Sequence, residues 1–297
     1  MRRRIRNPVL LAAAAFLLVL LPAYLLNVNR RAPASARAQV LSNYLKAVYA
    51  RDFKRAYRFV SSQDRNVKKE TVYVSERGPF TGFAAEVAWK LSQWIEVRPL
   101  RQRLEGNRAM IRLSLKLPDA NAVGPLLFNW DEERLNALAR PDRKKILASL
   151  DNLKRDGGLK MIDGEEEFVM IREGKHWKVF LNWAAGVRVR FDTIVPTDGA
   201  VEASPAIRET VARSGELFTI AYRVKNQSAK EILARIVHRV EPKALAQYLD
   251  LVECALLLPV RILPGEEQNY ASTYLVRGDL PDGAKELKVT YEFKVER

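Results

Sequence analysis

The stretch "YLDLVECALLLPVRILPGEE", residues 248–267, decides how the C-terminal third of the chain is interpreted. It is apolar and strand-like, and it closes in a turn at Pro264 and Gly265. Apolar runs bounded by turn residues predict buried β-strands. The stretch also contains Cys254, the single cysteine among 297 residues. A lone cysteine at such a position either fills core volume or is what remains of a metal site.

Similar runs recur after Gly186. They alternate apolar and polar residues between Gly, Pro, Asn and Asp turns, and they read VRVRFDTIV, LFTIAYRVKNQS, EILARIVHRVEP, VECALLLPVRILPGEE, QNYASTYLVRGDLP and ELKVTYEFKVER. Regularly spaced short strands of this kind are typical of an immunoglobulin-like fold. The sequence therefore predicts an all-β immunoglobulin-like sandwich over residues 186–297, interrupted by one short helix at PKALAQYLD.

Residues 38–185 have a different pattern. Apolar residues of AQVLSNYLKAVYARDFKRAYRFVS recur at three- and four-residue spacing, which predicts a helix or a helix pair with a break near Asp52. Further helices are predicted in TGFAAEVAWKLSQW and over 130–156, the latter broken near Pro141, with a strand in NRAMIRLSLKLPD and a closing hairpin around Gly174. This order predicts an α+β cone. In its leading aromatic helices and its closing GKHWKVFLNWA, the region resembles the nuclear transport factor 2-like superfamily, a fold that often hosts a pocket.

A membrane anchor is predicted at the N-terminus. Residues 7–29 are 23 consecutive residues without a charge, mostly Leu, Ala and Val, and about 20 apolar residues cross the hydrocarbon core. The run is longer than the apolar region of a signal peptide, which favours an uncleaved transmembrane helix. Arginines flank both ends, so the bias toward a cytoplasmic N-terminus is slight. Residues 1–37 are predicted to be a cytoplasmic tip, an inner-membrane anchor and a linker, with both later domains on the periplasmic side.

The formal net charge of +15 does not indicate nucleic-acid binding. Seven arginines in residues 1–37 supply almost half of the excess, and residues 186–297 are balanced, with 16 basic and 16 acidic side chains. No basic block is interleaved with stacking aromatics. The sequence also lacks a Gly-rich phosphate loop, zinc-ligand spacing and a nucleophile–base signature. We therefore expect neither a nucleic-acid-binding protein nor an enzyme, and we predict no catalytic residue.

The predicted sandwich carries an ordered set of landmarks. A strand ends in an asparagine turn, YRVKNQSAK, a second strand runs into a proline, HRVEP, and then follow ALAQYLDLVEC, LLPVRILPGEE and ELKVTYEF. In this order residues 186–297 resemble the CtaG family of copper-delivering cytochrome c oxidase assembly proteins, in which a short helix leads into Cys-Phe-Cys-Phe, a Leu-Pro-Gly-Glu turn and a final Tyr-x-Phe strand. The resemblance implies a membrane-anchored protein that delivers Cu(I) to the copper B centre, with the cytochrome oxidase catalytic subunit as its partner.

The chain departs from the family motif at the second cysteine. Residues i and i+2 of an extended strand point the same way, so two cysteines at this spacing place both thiolates on one face. Soft thiolates select Cu(I). Here the four positions read Cys254, Ala255, Leu256 and Leu257. Cys254 is thus the candidate metal ligand, and Leu256 is predicted on the same face of the strand.

His238 is the other candidate ligand, because it is the single imidazole of residues 186–297. It alternates with Ile232, Ala234 and Ile236, which predicts that these four side chains share one face of a strand. That position fits a half-buried core histidine as well as a copper ligand.

Three roles of Cys254 are compatible with the sequence. Free cysteines commonly pack as small hydrophobic residues. Alternatively, two chains of a homodimer, or one chain and a client protein, each give one thiolate to a shared Cu(I). The third role is an intermolecular disulfide or a redox-active thiol, since a single cysteine outside the cytoplasm has no intrachain partner. The alternative to a copper-linked assembly factor is a copper-independent envelope docking module, in which the cone binds a ligand or a protein.

Overall fold

The computed structural model describes residues 36–281 and 283–296. The predicted membrane anchor, residues 7–29, lies outside the described residues. Among the helices that are described, none has both the length and the apolar character needed to cross a membrane. The described chain consists of an α+β part followed by a β-sandwich.

The α-helices of the described chain lie in its first half. The predicted break at Asp52 is observed, because the Asp52 carboxylate caps the second helix by accepting a hydrogen bond from the backbone N–H of Arg55. The break predicted near Pro141 is also observed: one helix ends at Ala137 and the next begins at Arg140, with Pro141 in its first turn. The helices are α1 (36–49), α2 (Phe53–Tyr57), α3 (Ser62–Val67), α4 (Glu70–Ser75), α5 (Gly82–Ser92), α6 (Glu132–Ala137) and α7 (Arg140–Arg155).

Four antiparallel strands form sheet A, in the order β1 (Glu96–Glu105), β2 (Arg108–Pro118), β3 (Met161–Glu173) and β4 (His176–Phe180). The alternation predicted for β2 is confirmed: Ala109, Ile111 and Leu113 are buried in one core with residues of α1, α2 and α4, while the intervening side chains face away from the helices. The predicted turn between β3 and β4 is also observed, with Gly174 at a φ of 59°, where glycine is favoured. The helices therefore cover one face of sheet A and leave the other open.

Strand β1 was not predicted, and its sequence EVRPLRQRLE explains why. Proline and a high density of charge both disfavour a strand assignment. The structure accommodates Pro99 because β1 lies at the edge of sheet A and its register shifts between Pro99 and Arg101. Proline, arginine and a bulge are features that protect edge strands from pairing with other chains.

The second part of the described chain is a sandwich of two sheets, as predicted. A four-stranded sheet has the order β10-β12-β8-β6 and a five-stranded sheet has the order β11-β9-β13-β5-β7. Their inward-facing residues form one buried core. The strands are β5 (Val187–Ile194), β6 (Val201–Pro205), β7 (Glu209–Ala212), β8 (Leu217–Asn226), β9 (Ile232–Glu241), β10 (Leu249–Cys254), β11 (Val260–Ile262), β12 (Glu267–Val276) and β13 (Glu286–Glu296).

Two of these strands, β6 and β7, were missed because each is only four or five residues long and carries little alternation. The helix predicted at PKALAQYLD is observed as a 3-10 helix, Lys243–Tyr248. Strand β13 pairs with β9 in antiparallel fashion and with β5 in parallel fashion, and so lies inside its sheet. The last described strand therefore joins the first strand of the sandwich to the rest of its sheet.

The chain passes between the two parts at Gly186 without a loose linker. A Cβ atom at Gly186 would lie 2.7 Å from the carbonyl oxygen of Ala212, so no larger residue fits without a shift of the backbone. Two buried cores lie within residues 41–183 and a third within 187–293, and Val211 of the sandwich packs against the core that contains Trp183. The predicted domains, 38–185 and 186–297, therefore meet in close backbone contact.

A buried ionic network also joins the two parts. We define the junction cluster as Lys68, Glu76 and Arg77 of the α+β part with Thr210 and Glu216 of the sandwich. Glu76 accepts hydrogen bonds from Lys68 at 2.6 Å and Arg77 at 2.9 Å, and Thr210 donates to its second oxygen at 2.5 Å. Arg77 continues to Glu216 at 2.6 Å. Because Lys68 is 2% exposed and Glu76 1% exposed, these charges are compensated only by each other and by their hydrogen-bond partners.

Candidate functional site

Cys254 is the last residue of β10 and is half-buried. The strand does not continue through the motif, because Ala255–Leu257 form a single 3-10 turn. The prediction that Leu256 lies on the same face of an extended strand as Cys254 is therefore wrong in its geometry: i and i+2 alternate onto one face only in extended backbone. Both side chains nevertheless contact the core of the sandwich, Leu256 as a fully buried member and Cys254 at its margin.

Two hydroxyl groups are directed at the sulfur of Cys254. Ser272, which pairs with Cys254 across β10 and β12, donates from Oγ to Sγ at 3.2 Å. The hydroxyl of Tyr291, on β13 of the opposite sheet, donates to Sγ at 3.6 Å and accepts from the hydroxyl of Tyr274 at 2.8 Å. We call these four residues the thiol cluster. It connects both sheets of the sandwich through one hydrogen-bonded chain that ends on the sulfur.

The tyrosines beside the thiol are held in their neutral form. Burial raises the pKa of Tyr291, Tyr274 and Tyr222, the last of which stacks on Tyr291 with ring centroids 4.1 Å apart. A buried phenol that keeps its proton remains a hydrogen-bond donor. The cluster therefore presents O–H groups, and not negative charge, to the sulfur.

His238 lies behind the tyrosines. It pairs with Tyr291 across β9 and β13, and its ring centroid is 5.7 Å from that of Tyr291 and 5.9 Å from that of Tyr274. Its strand face is the buried one predicted from Ile232 and Ala234. Burial lowers the pKa of His238, and its Nε2 atom is buried without a hydrogen-bond partner among the described residues. The imidazole is thus a neutral neighbour of the thiol cluster, and Tyr291 contacts both it and the sulfur.

The outer side of the cysteine is apolar and exposed. Val252 precedes it on β10, and Leu257 and Leu258 follow it in the 3-10 turn and just beyond. All three are exposed, Leu258 to 74%. Contiguous exposed apolar side chains commonly mark a contact surface for another protein. We call Val252, Leu257 and Leu258, which lie within four positions of Cys254 in the sequence, the apolar rim.

One chain supplies one soft ligand at this site. Across residues 36–281 and 283–296, no three side chains of His, Cys, Asp or Glu come together as a metal-binding group. The atoms that contact Sγ are hydroxyl oxygens, which are harder ligands than thiolate or thioether sulfur. A Cu(I) ion at Cys254 would therefore need a second soft ligand from another molecule.

The sequence of this site has recognisable relatives. Residues 165–294 match the family model "Cytochrome c oxidase assembly protein CtaG/Cox11". The match confirms the resemblance of the sandwich to that family. It begins in β3, before the boundary predicted at residue 186, and covers only the last part of residues 38–185. The nuclear transport factor 2-like resemblance of that region stays a prediction.

Curated CtaG proteins show the same similarity. This chain is 29% identical to the cytochrome c oxidase assembly protein CtaG of Sinorhizobium fredii over 104 residues, which are 34% of this chain and 52% of that protein. It is 28% identical to CtaG of Rhizobium meliloti over 112 residues, 36% of this chain and 57% of that protein. The chain thus spans about half the length of the curated relatives it matches. Among solved structures, the α-2-macroglobulin of E. coli aligns with 68% of this chain and 16% of its own at 10% identity, with a TM-score of 0.22, too low to indicate a shared fold.

Sequence reasoning identified Cys254 and His238 but not the residues that connect them. Ser272, Tyr274 and Tyr291 lie 18, 20 and 37 positions beyond Cys254, on two other strands. Their signal in the sequence is a buried-face pattern: Ser272 and Tyr274 are two apart in β12, and Tyr291 occupies the same kind of inward position in β13. Buried polar groups require hydrogen-bond partners, and these side chains form hydrogen bonds with one another and with Cys254.

Proposed function

We propose that this protein is a membrane-anchored cytochrome c oxidase assembly factor whose two described domains face the periplasm. The observation that carries the proposal is the CtaG/Cox11 match over residues 165–294, which includes the whole sandwich core and Cys254. The apolar run at residues 7–29 supports the anchor, and the apolar rim beside Cys254 supports docking of a client such as the oxidase catalytic subunit.

Copper handling is the finer part of the proposal. Cu(I) is the cargo, and Cys254 binds it together with a thiolate from a second molecule. That thiolate belongs either to Cys254 of another copy of the chain or to the client protein. Two thiolates are sufficient for a linear soft-metal site. Cys254 is only half-buried and the apolar rim is exposed, which supports such sharing, because a partner that packs on the rim comes close to this residue.

Titration with Cu(I) tests this directly. The detergent-solubilised full chain is held under reducing conditions, and bound copper is counted per chain by competition with a Cu(I)-specific chelator. We expect about one copper per two chains, with dimer formation detected by light scattering, and complete loss in Cys254→Ser. Binding that is unchanged in Cys254→Ser would contradict the role of the thiol, and copper-free wild type would contradict copper handling by the chain alone.

Restoring the second family cysteine sharpens the test. Leu256→Cys places a thiol at the position that the family motif gives to its second ligand, and we expect tighter copper binding with one copper per monomer. Ala255→Cys is the matched control, because it adds the same thiol at the neighbouring exposed position. If both variants gain copper equally, the added capacity reflects a surface thiol and not the motif.

A copper-independent docking module is the second candidate, and one observation favours it. Ser272 and Tyr291 already donate to the sulfur, so Cys254 is satisfied as a structural residue without metal. In this version residues 38–185, which we assign to the nuclear transport factor 2-like superfamily on their helix-then-sheet order, bind a ligand or a protein. Wild type that holds no copper but still captures the oxidase subunit from detergent extracts, with capture lost in Leu258→Asp, would support it.

The orientation of the chain is tested separately. A reporter that is active only in the cytoplasm, fused after Arg297, should remain silent if the domains face the periplasm. Strong reporter activity would contradict both the orientation and the assembly role.

A further inference from the structure

The open face of sheet A carries arginines where its β1–β2 hairpin approaches the sandwich. Arg103 pairs with Met110 across β1 and β2, Arg101 pairs with Arg112 beside them, and Arg108 begins β2. Arg213, from the sandwich, reaches the same place and donates to the carbonyl oxygen of Leu181 at 3.0 Å. Five arginines from both parts of the chain therefore lie around one surface.

Three of these arginines line a cleft of about 270 Å³ together with apolar side chains. Arg103, Arg108 and Arg213 lie in its lining with Glu105, and the apolar members of the lining are Met110, Val169 and Phe180. Guanidinium groups beside apolar side chains fit a ligand that is both anionic and partly apolar.

Three carboxylates lie at the same surface but do not neutralise it. Glu105 forms an ion pair with Arg103 at 2.7 Å and Glu165 forms one with Arg112 at 2.8 Å. Glu167 lines the adjoining depression beside Arg101. Arg108 stacks over the ring of Phe180 at 4.9 Å. Within the described chain no ion pair involves Arg101, Arg108 or Arg213, so positive charge is in excess at this surface.

Exposed leucines lie among the arginines on the edge strand. Leu100 is 53% exposed and Leu104 56% exposed, on the strand whose outer edge no described strand covers. Leu104 pairs with Ala109 and so lies on the helix-covered face, opposite Arg103, which pairs with Met110. The exposed leucines and arginines therefore flank the free edge of β1 from its two faces. Such an edge suits the boundary between lipid headgroups and acyl chains, where apolar side chains enter the boundary and guanidinium groups remain with the phosphates.

The position of this surface relative to the predicted anchor is constrained by the chain. Arg37, in the first described turn of α1, donates to the side-chain oxygen of Gln102 at 3.1 Å, and its guanidinium lies 5.1 Å from the ring of Trp177. Gln102 stands between Arg101 and Arg103 on β1. Residues 30–35 separate the apolar run from α1, and six residues span at most about 20 Å. The start of α1 is thus fixed to the arginine-bearing strand within that reach of the predicted membrane segment.

We propose that the edge of β1 around Leu100, Arg101, Arg103 and Leu104, together with the adjoining Arg108 and Arg213 and called the arginine face, binds the phosphate headgroups of anionic phospholipid. The inference rests on the membrane anchor of the proposed function and extends it. Sheet A is proposed to bind lipid headgroups of the same bilayer that residues 7–29 span. Guanidinium groups pair with phosphate through two parallel hydrogen bonds, and juxtamembrane basic residues are attracted to anionic leaflets. Binding orients the α+β part on the bilayer, with Arg213 of the sandwich beside the same surface.

The test measures the proximity of β1 to headgroups in the full chain. The protein is reconstituted into nanodiscs of phosphatidylcholine with or without 30% phosphatidylglycerol, with an environment-sensitive fluorophore at Leu104→Cys in a Cys254→Ser background. A headgroup-spin-labelled lipid quenches fluorophores at the membrane surface. We expect at least threefold stronger quenching in anionic discs than in neutral discs. The matched label is Leu263→Cys, on the sandwich, since Leu263 has a similar exposure of 52% and no basic cluster; its quenching should not depend on lipid charge.

Charge reversal provides the second arm. Arg101→Glu/Arg103→Glu/Arg108→Glu should abolish the lipid-charge dependence at position 104, whereas reversal of the exposed Lys230, Arg235 and Lys243 on the sandwich should leave it. Hydrogen exchange on the unlabelled wild type checks the result without a substitution, with protection of β1 backbone amides expected in anionic discs only.

The outcomes separate the two proposals. A chain that does not enter discs of either composition overturns the anchor and the lipid surface together. A chain that enters discs but shows equal quenching at positions 104 and 263 overturns the lipid surface alone. Loss of quenching in inorganic phosphate, compared with chloride at equal ionic strength, would assign the arginine face to free phosphate and overturn lipid binding.

Discussion

The junction cluster and the thiol cluster satisfy their buried polar side chains in two different ways. At the junction, oppositely charged side chains compensate one another between two domains, and Lys68 and Glu76 are almost completely removed from water. In the sandwich, neutral hydroxyls form a chain that ends on a sulfur. An unpaired buried charge costs several kcal/mol, whereas an unpaired hydroxyl costs about 1–3 kcal/mol. Truncating a charged side chain of the junction cluster should therefore lower the stability of the fold more than removing a hydroxyl from the thiol cluster. The candidate functional residue nevertheless lies in the thiol cluster.

The largest effect is expected from Glu76→Ala. This substitution leaves the ammonium of Lys68 buried without its closest carboxylate and removes the acceptor of Thr210. We expect the free energy of unfolding to fall by about 3–5 kcal/mol, measured by urea denaturation of the detergent-solubilised chain.

Glu165→Ala is the control for this prediction. Glu165 pairs with Arg112 at 2.8 Å on the exposed face of sheet A, so the same change should cost less than about 1 kcal/mol. Equal losses in the two variants would show that burial does not distinguish the junction.

A smaller effect is expected from Tyr291→Phe. The ring stays, but the hydroxyl that accepts from Tyr274 and donates to Cys254 is removed. The buried hydroxyl of Tyr274 then lacks its acceptor, and the free energy of unfolding should fall by about 1–2 kcal/mol. Tyr248→Phe is the control, since Tyr248 is only half-buried and has no part in the cluster. A neutral result for Tyr291→Phe would mean that the hydroxyl chain does not stabilise the sandwich.

The smallest effect is a pH dependence that originates at His238. Burial lowers the pKa of the folded imidazole below its ordinary value of 6.5. The unfolded chain therefore binds a proton that the folded chain does not, so stability is complete above pH 6.5 and decreases as the pH falls. The histidine is only partly buried, so solvent screening keeps the total below about 1 kcal/mol between pH 7.5 and 5.5.

His238→Gln should remove this decrease, whereas substitution of the exposed His176 by Gln should retain it. Thermal unfolding at a series of pH values measures both. A decrease that persists in His238→Gln would assign the titration to another group.

The sequence was sufficient to locate the elements with strong periodicity. The alternation in β8, β9, β12 and β13 and the three- and four-residue spacing around Asp52 report burial on one face, which is a local property. Strand β1 was not predicted because it is an edge strand. Its proline and arginines hinder pairing with other chains, and none of its side chains is buried, so it lacks the alternation that identifies a strand.

The candidate site could be predicted only in part. Cys254 was identified by its position in a family motif, and the buried face of His238 followed from alternation. Their contacts depend on the order of strands within and between two sheets, which alternation does not specify. The same holds for the junction cluster, where Lys68 and Glu216 are 148 positions apart. The 3-10 turn at Ala255–Leu257 was missed because its apolar letters do not differ from those of a strand.

The position of β13 affects when the sandwich can fold during synthesis. This strand lies later in the chain than every other strand of its sheet, yet it stands between β9 and β5 and contributes Leu287, Val289 and Tyr291 to the core. During synthesis β5 emerges about 100 residues ahead of its parallel neighbour, and contacts between distant segments form slowly. The five-stranded sheet cannot close until β13 has emerged, so β5 and β9 lack their shared neighbour until the last described strand has been synthesised.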